Sequence, residues 1–600
     1  MKKLLFGFFL LACVPALAQD NMKDNASLQQ DDRQWVQAAK NYAQTRYSSL
    51  DQINTANAGK LQVAWTFSVG SAHGQEAAPL VVGDTMYVVG AYPNELFALD
   101  ATTGAMKWKY SPHVDPASQG VACCDVVNRG AAYDDGKVFY NTLDNHTVAV
   151  DAKTGKEVWA TKLGEITKGQ TLTMAPLAAD GKIFVGNSGG EMGIHGWVTA
   201  LSEDTGKIVW RAYSVGSDKD VKIGPRFHPL YPDAKGKDLG MTTWPNGRWQ
   251  SGGGPVWGWI SYDPKTNMIF YGTGNPGPWN SNQREGDNKW TATIFARDAD
   301  TGDAIWADQI NPHDMYDYDE INENLLLDLP INGKVRPVLV HPGRDGFMFV
   351  IDRETGQIYS ADKYDTQTSI LSYDIKKGRP NYNKALTPLL GKNIRGICPA
   401  SPGAKDWQPT AYSPKTRLLY IPHQHLCMDY KTSQAAFIPG TPYVGATVNM
   451  YAGPGGYRGE FAAWDLTGRK KVWAIHEKFP VWTGALATAG NIAVYGTMDR
   501  WFKVVDARDG KLLYRFRAPS GFIGQPITYQ GTDGRQYIAM LSGVGGWAGA
   551  LANAAIDPRV RNGALGYTGA VNDLPGVTSG GSTLMVFALP ADVAETGGAP

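Results

Sequence analysis

The 600-residue sequence lacks an excess of charge of either sign, because Lys plus Arg and Asp plus Glu each number 57. Proteins that neutralise nucleic-acid phosphates carry a basic surplus, so nucleic acid is not expected as a partner. Long apolar runs are also missing after the N-terminal segment, and no transmembrane span is therefore expected. The hydrophobic fraction of 43% still allows a large core and argues against disorder.

The N-terminal segment has the features of a cleavable signal peptide. Two lysines precede an apolar run over residues 4–11, and Ala16-Leu17-Ala18 fits the small-x-small cleavage rule. The run is too short to favour a membrane anchor. We therefore expect a signal peptide over residues 1–18 and an exported, periplasmic mature chain, with lipidation at Cys13 as the alternative.

Cysteine is scarce, with five residues in the chain and four after removal of the signal peptide. An even number in an exported protein suggests two disulfides. One pairing consistent with the sequence is Cys123–Cys124 with Cys398–Cys427. Zinc binding is less expected, because adjacent thiols lack the usual ligand spacing.

Glycine and aromatic residues are abundant, and they recur in a short phrase of Asp, a Thr-Gly turn and an aromatic residue. The Asp side chain can bond the turn backbone and Gly supplies the positive φ, so each copy predicts a β-hairpin. The copies lie at residues 100–104, 151–155, 203–206, 298–302, 352–356, 465–468 and 506–510, with weaker copies at Asp263 and Ser413. The aromatic residues that follow them are Trp108, Trp159, Trp210, Trp306, Tyr359, Trp473 and Tyr514.

The repeat spacing of roughly fifty residues is typical of propellers and other repeat arrays. Nothing resembles an alternation of strands with long helices, and radial repetition leaves few exposed sheet edges. We expect an all-β propeller that occupies residues 19–600 as one domain, with insertions at about 211–250 and 360–460. The repeats alone would equally suit a propeller scaffold without catalytic activity.

Four local features interrupt the repeat. They are the Cys123-Cys124 pair, the glycine-rich segment 186–193 around Glu191, the Trp-rich segments 257–259 and 271–280, and the acidic segment 312–320. Taken singly, the last three also suit a surface turn, core packing and a solvated acidic loop. On an extended segment, Asp317 and Asp319 would share one face, where two like charges require a cation or a proton.

Together these features resemble the pyrroloquinoline-quinone (PQQ)-dependent alcohol dehydrogenases, which include the methanol and ethanol dehydrogenases. The resemblance covers nearly all of the mature chain and is most specific in Cys-Cys, Gly-Asn-Pro-x-Pro-Trp-Asn, Pro-His-Asp-x-x-Asp and Gly545-Gly546-Trp547. It implies an eight-bladed β-propeller of four-stranded blades with tryptophan-docking repeats.

The resemblance also implies a cofactor site. A Cys123–Cys124 disulfide would lie on one face of the quinone and Trp257 on the other, with Arg344 beside the reactive carbonyl oxygens. The remaining implied contacts are Arg129, Thr173, Ser188, Gly189, Gly190, Trp482 and Trp547. Gln424 departs from the Asn of many relatives, which puts a cofactor contact there in doubt, and structural roles are expected for His423 and His425.

Glu191, Asn275 and Asp317 match the family's metal ligands, and Asp317 is also the implied general base. Asp319 stands where calcium-dependent members have a small neutral residue and lanthanide-dependent members have a second Asp. Two carboxylates balance Ca²⁺, whereas three balance a trivalent ion of similar oxygen preference. A lanthanide is therefore expected, with calcium as the alternative.

The implied reaction oxidises methanol or another short primary alcohol to the aldehyde by hydride transfer to metal-bound PQQ. Relatives pass the electrons to a c-type cytochrome and are often homodimers. No Cys-x-x-Cys-His haem motif occurs in the sequence, so the cytochrome is expected to be a separate protein.

Overall fold

A computed structural model describes residues 25–554 and 556–591. The expected signal peptide and Cys13 lie outside these residues. Antiparallel sheets dominate the described chain, which confirms the expected all-β class. The helices are short, and within the described ranges none combines the length and apolar character that crossing a membrane requires.

Among the described residues, eight sheets have at least four strands. We number these sheets along the chain, by the position of the first strand given for each below. Sheet 1 comprises Leu80–Val82, Thr85–Val89, Leu96–Asp100 and Met106–Tyr110, and sheet 2 comprises Ala131–Asp134, Lys137–Asn141, His146–Asp151 and Glu157–Lys162. Sheet 3 comprises Leu177–Ala179, Lys182–Gly186, Trp197–Ser202 and Ile208–Tyr213, and sheet 4 comprises Ile260–Asp263, Met268–Gly272, Thr293–Asp298 and Ala304–Gln309. Sheet 5 comprises Leu325–Ile331, Lys334–Pro342, Phe347–Asp352 and Ile358–Lys363, and sheet 6 comprises Ala411–Ser413, Leu418–Gln424, Gly459–Asp465 and Lys470–Glu477. Sheet 7 comprises Leu486–Thr488, Ile492–Gly496, Trp501–Asp506 and Leu512–Arg517, and sheet 8 comprises Ile527–Gln530, Gln536–Ser542, Thr583–Ala588 and Gln62–Ser68.

The remaining elements are small. Two further sheets comprise Ile370–Asp374 with Arg379–Tyr382, and Asn393–Ile397, Leu426–Thr432 and Ala446–Ala452. The α-helices are Asn25–Leu28, Asp218–Val221, Leu239–Thr242, Gly546–Asn553 and Thr568–Val571. The 3-10 helices are Ala58–Lys60, Pro116–Gly120, Ile166–Lys168, Gly190–Met192, Pro232–Ala234, Pro245–Ser251, Ser281–Gln283, Lys384–Leu386, Ala564–Gly566 and Leu574–Gly576. The expected insertions thus correspond to short helices and to the two small sheets.

Sheets 7 and 8 combine distant parts of the chain. In sheet 8, Gln62–Ser68 pairs antiparallel with Thr583–Ala588, so an early strand completes a sheet whose other three strands come late in the sequence. In sheet 7, Tyr47–Ser48 adds a parallel edge to Leu486–Thr488. The two regions of the chain are therefore joined by main-chain hydrogen bonds.

The repeated phrase forms the turn between the third and fourth strands of a sheet, as the residues predicted. In sheet 2, the Asp151 carboxylate accepts from the backbone N–H of Thr154 at 2.7 Å, and Gly155 takes a φ of 71°. The same Asp-to-backbone bonds form at Asp100, Asp298 and Asp352. The Asp and Gly of the phrase thus act as inferred in these copies, whereas in the copy at residues 465–468 the positive φ, 55°, falls on Arg469 instead of the glycine.

Aromatic residues of one sheet pack on the phrase glycine of the next sheet. Trp108 lies so close to Gly155 that a Cβ there would sit 2.7 Å from the indole ring, and the Trp108 Nε1–H donates to the Ala152 carbonyl at 3.2 Å. Trp65, Trp159, Trp210, Trp306 and Trp473 pack in the same way on Gly104, Gly206, Gly302, Gly356 and Gly510. Trp65 belongs to sheet 8 and Gly104 to sheet 1, so the series of contacts joins the last sheet to the first.

Candidate active site

One cavity of about 620 Å³ is lined by loops from one end of the sheets. Its lining residues lie in connections that lead into a first strand, or in turns between second and third strands. In antiparallel sheets these loops share one end, and the repeat turns lie at the other. That volume is all the space between the lining atoms, including space that is open to solvent. All the residues predicted to contact a cofactor line this cavity: Cys123, Cys124, Arg129, Thr173, Ser188, Gly189, Gly190, Trp257, Arg344, Trp482 and Trp547.

The Cys123–Cys124 pair is disulfide-bonded in the loop that follows the 3-10 helix Pro116–Gly120. Cys398 and Cys427 form the second disulfide, as the expected pairing required. The vicinal disulfide lines the cavity between sheets 1 and 2, whereas the second disulfide ties the outer small sheet to the segment before sheet 6. Sulfur atoms held in these disulfides are not available as thiolate ligands.

Arg129 lies at the centre of a buried polar chain. Its guanidinium lies over the rings of Trp257 and Trp407, at 4.8 and 5.0 Å from their centroids. It forms an ion pair with Glu76 at 3.0 Å and donates to the Thr173 hydroxyl at 2.7 Å. Burial raises the pKa of Glu76 to about 7 even though Arg129 opposes that shift.

The Thr173 hydroxyl continues this chain to Ser188, at 2.7 Å, on the glycine-rich segment. Gly189 has a φ of 122°, and a Cβ on Gly190 would lie 2.7 Å from the Asn275 amide oxygen. Only glycine permits both the left-handed backbone and this close approach. The two glycines therefore allow Glu191 to follow directly beside Asn275.

Asp317 and Asp319 both approach Arg344, but not by the strand alternation that the sequence suggested. The segment 311–324 contains no strand, and Asp317 has a φ of 69°. The Arg344 Nη1 lies 3.4 Å from an Asp317 carboxylate oxygen and 3.6 Å from Asp319. The prediction that the two acids share a site agrees with these distances, whereas the extended backbone assumed for them was wrong.

Asp319 links several of the other predicted residues. It accepts from the Trp257 Nε1–H at 2.8 Å and from the backbone N–H of Asn275. Burial raises the pKa of Asp319 to about 6, with Arg344 acting in the opposite direction. Burial, followed by the Asp319 charge, raises the pKa of Glu191 to about 7 and that of Asp317 well above its ordinary value. Burial and mutual repulsion therefore favour protonation of these carboxyl groups unless a cation compensates their charge.

Arg344 supplies the positive charge in this part of the cavity. Its Nη1–H donates to the Asp317 carbonyl and its Nη2–H to the Asp406 carboxylate, each at 2.9 Å. The guanidinium lies 5.4 Å from the Trp257 ring centroid. Although burial acts to lower it, the charges of Asp406, Asp319 and Asp317 raise the pKa of Arg344, so its charge is permanent.

The predicted metal ligands are neighbours but do not converge on one point. Glu191 and Asn275 line the cavity, and Asp317 and Asp319 lie behind it against Arg344. Among the described residues, the one group of three acidic side chains whose oxygens all lie within 4.8 Å of one another is Asp135, Glu203 and Asp204, away from the cavity. Lys137 lies 3.0 Å from Glu203 and offsets one of these three charges.

Comparison with known proteins identifies the family. The pattern described as PQQ glucose/ethanol/alcohol dehydrogenase, beta-propeller domain, matches residues 35–360 and 446–538. The chain belongs to this family. The match confirms the resemblance inferred from the motifs.

Relatives that match nearly the whole chain are named as methanol dehydrogenases. A "Lanthanide-dependent methanol dehydrogenase" of Methylacidiphilum fumariolicum (strain SolV) is 47% identical, covering 98% of this chain and 97% of the relative. A "Methanol dehydrogenase [cytochrome c] subunit 1" of Methylobacterium organophilum is 41% identical, covering 97% and 95%. A solved structure named "Europium-containing methanol dehydrogenase" superposes with a TM-score of 0.92 at 48% identity, covering 94% and 99%.

The residues present fit an anionic planar cofactor and a cation. The Nε–H groups of Arg129 and Arg344 are buried without a hydrogen-bond partner, as is one carboxylate oxygen of Asp317. Buried polar groups rarely stay unpaired, so these atoms indicate a polar ligand. The surrounding indoles of Trp257, Trp407, Trp482 and Trp547 offer flat apolar surface to a ring system.

Sequence reasoning missed several residues of the cavity wall, and three of these contact its arginines. Glu76 and Asp406 form ion pairs with Arg129 and Arg344, and Trp407 underlies the Arg129 guanidinium. None lies in a motif that was singled out. The available signal was that a buried arginine needs a carboxylate partner, which does not say which carboxylate.

The segment 422–427 has structural roles. The Gln424 amide donates to the Pro402 carbonyl at 2.9 Å and accepts from the Tyr567 hydroxyl at 2.8 Å, so both its ends are paired within the protein. Gln424 does not line the cavity. His423 pairs with Glu460 and His425 with Asp365, as expected for histidines with structural roles.

Proposed function

We propose that this chain oxidises methanol or another short primary alcohol to the aldehyde, with PQQ and a lanthanide ion bound in the cavity. The observation that carries the proposal is that one cavity gathers every residue expected to contact the cofactor, together with two of the four expected metal ligands. The relatives named as methanol dehydrogenases support the substrate class.

Arg129, Thr173 and Ser188 would hold the cofactor's carboxylates, because they form a continuous row of donors on one side of the cavity. The Cys123–Cys124 disulfide and Trp257 would lie on its two faces. Glu191, Asn275, Asp317 and Asp319 would hold the cation. When bound, PQQ accepts the hydride of the alcohol carbon, and the cation polarises the quinone carbonyl.

Asp317 would take the hydroxyl proton of the alcohol. One of its carboxylate oxygens is free of protein partners, so it can accept a proton from a substrate. Arg344 contacts the other carboxylate oxygen and the Asp317 carbonyl, which fixes the side chain, and its permanent charge opposes the rise in the Asp317 pKa that burial and Asp319 cause. The indole walls exclude water from the reacting groups.

The choice of a lanthanide over calcium rests on Asp319. Its carboxylate is only 3% exposed, and it adds a third negative charge to those of Glu191 and Asp317. Arg344 and Asp406 form an ion pair at 2.9 Å and cancel each other's charge, so the three carboxylates still need more positive charge than a divalent ion supplies. The relative named as lanthanide-dependent and the europium-containing structure support this choice.

The test is dye-linked activity of metal-free protein reconstituted with PQQ and either lanthanum or calcium, across a series of primary alcohols. We expect activation by lanthanum and little by calcium, with the short alcohols preferred. Full activity with calcium alone would remove the lanthanide from the proposal. Purified protein without a quinone absorption band, and unable to acquire one, would indicate a propeller scaffold without catalytic activity.

Asp319→Asn is the sharper variant for the metal, since an amide oxygen can still accept from Trp257 while the charge is lost. We expect weaker terbium binding, measured by luminescence, with calcium binding changed less. Asp319→Ala also removes the acceptor and serves as the comparison. Equal loss of terbium and calcium binding in Asp319→Asn would contradict the charge argument.

We further propose that the eight sheets close into an eight-bladed propeller with tryptophan-docking contacts, in one domain over residues 19–600. The Trp65 contact between sheets 8 and 1 supports closure.

We also propose that the chain is exported to the periplasm after cleavage at residue 18, and that it passes its electrons to a c-type cytochrome. The relative named for cytochrome c supports the acceptor, and a homodimer is testable by light scattering.

A further inference from the structure

The carboxylate of Asp125, directly after the cysteine pair, collects hydrogen bonds from two distant parts of the chain and from its own neighbour Val126. Its donors are His73 Nδ1 at 3.2 Å, the Gly74 N–H at 3.1 Å, the Val126 N–H at 2.8 Å, the Gly546 N–H at 3.0 Å and Asn553 Nδ2 at 2.8 Å. Hydrogen bonds to a charged acceptor are the strong ones, so these five donors hold the carboxylate firmly in place.

The surroundings of Asp125 keep it ionised and fixed. Its side chain is 10% exposed, and its φ of 78° lies in the left-handed region, which aspartate adopts more often than most residues other than glycine. Burial acts to raise its pKa, but the hydrogen bonds from His73 and Asn553 outweigh that effect and lower it. The carboxylate is therefore a charged acceptor at neutral pH.

The segments that meet at Asp125 touch at the level of the backbone. A Cβ on Gly74 would lie 2.8 Å from the Gly545 carbonyl carbon, and one on Gly545 would lie 2.6 Å from the Asn553 amide nitrogen. No side chain fits between these segments. This explains the glycines of the Gly545-Gly546-Trp547 motif, and it leaves the Asp125 carboxylate to join the segments through hydrogen bonds.

Each of these segments also carries part of the cavity wall. Cys124 precedes Asp125, Glu76 follows Gly74 by two residues, and Trp547 follows Gly546. We propose that Asp125 is a positioning residue that holds the vicinal disulfide and Trp547 in register on the cavity. The inference deepens the proposed function and rests on it for the identity of the cofactor.

The test compares wild type with Asp125→Asn and Asp125→Ala in two assays. In the first, cofactor-free protein is exposed to dithiothreitol, and the thiols released at each disulfide are alkylated and quantified by mass spectrometry. We expect Cys123–Cys124 to open about tenfold faster in the variants, the effect of losing one charge-assisted hydrogen bond. Cys398–Cys427 is the internal reference and should not change.

The second assay measures PQQ affinity by equilibrium dialysis, where we expect a Kd about tenfold higher in the variants. Asp151→Asn is the matched control, since that aspartate also accepts turn N–H groups but lies in a repeat turn at the other end of the sheets. Asn553→Ala removes one donor without touching Asp125, so it tests the idea even where Asp125→Ala fails to fold. Its effect should be smaller and in the same direction.

Unchanged opening of Cys123–Cys124 in Asp125→Asn and Asn553→Ala would overturn the inference. So would equal acceleration at Cys398–Cys427, which would indicate general loosening of the fold. Because the thiol assay needs no cofactor, wild-type protein that fails to bind PQQ would refute the proposed function while the role of Asp125 is still decided.

Discussion

Replacing Gly155 by alanine tests whether the packing of Trp108 on the next sheet stabilises the fold. Gly155 has a φ of 71°, and a Cβ there would lie 2.7 Å from the Trp108 ring, well inside van der Waals contact. Alanine in this conformation costs about 1–2 kcal/mol. Overpacking against the indole adds about 1–3 kcal/mol. The total is about 2–5 kcal/mol of unfolding free energy.

Gly181→Ala is the matched control. Gly181 also lies in a hairpin turn with a positive φ, 66°, but a Cβ there would meet no atom within 4 Å. We expect it to cost about 1–2 kcal/mol, the backbone part alone. Urea unfolding followed by circular dichroism would measure both variants.

A double variant separates the two contributions further. Removing the indole in Trp108→Ala should abolish the clash, so Gly155→Ala should then cost no more than Gly181→Ala. The coupling between Gly155 and Trp108 should be about 1–3 kcal/mol, within the range for residues in contact. Equal costs for Gly155→Ala and Gly181→Ala in the wild-type background would refute the packing argument.

Two further predictions concern buried charges. Arg344→Lys should lower kcat about a hundredfold in dye-linked assays, because a single ammonium cannot reach the Asp317 carbonyl and Asp406 together; an unchanged kcat would contradict this. Glu460→Gln should lower stability by about 1.5–3 kcal/mol at neutral pH, because its bond to His423 helps to depress the pKa of Glu460, despite burial, below its ordinary 4.5. A carboxyl group with a depressed pKa in the folded state stabilises the fold at pH values above its ordinary pKa of 4.5, and this stabilisation is lost as the pH falls below that value. The difference in unfolding free energy between wild type and Glu460→Gln, measured by urea titration, should therefore shrink below pH 4.5. A difference that stays constant with pH would exclude the ionised carboxylate as the cause.

Local chemistry explains what could be predicted from the sequence. The Asp and Gly of the repeat act within a few residues, so their turns form where the phrase occurs. Motif residues such as Arg129 and Trp257 could be assigned to one site because members of the similar family place the matching residues around one cofactor. The sequence pattern alone does not show that these residues lie close together.

The unpredicted parts depend on contacts between distant segments. Glu76 reaches Arg129 across 53 positions, and Asp406 reaches Arg344 across 62, with no local pattern to announce either pair. The left-handed backbone of Asp317 was also missed, because an alternation of acidic residues does not by itself show whether the segment is extended. Tertiary packing decides that conformation.

Sheet 8 has a consequence for the order of events during synthesis. The strand Gln62–Ser68 leaves the ribosome among the first, yet its partner Thr583–Ala588 is made more than 500 residues later. Until then, the early strand exposes an unpaired edge, which is a template for pairing with other chains. Sheet 8 therefore cannot be completed until the C-terminal region is present, and a truncation before Thr583 would leave the edge of Gln62–Ser68 unpaired.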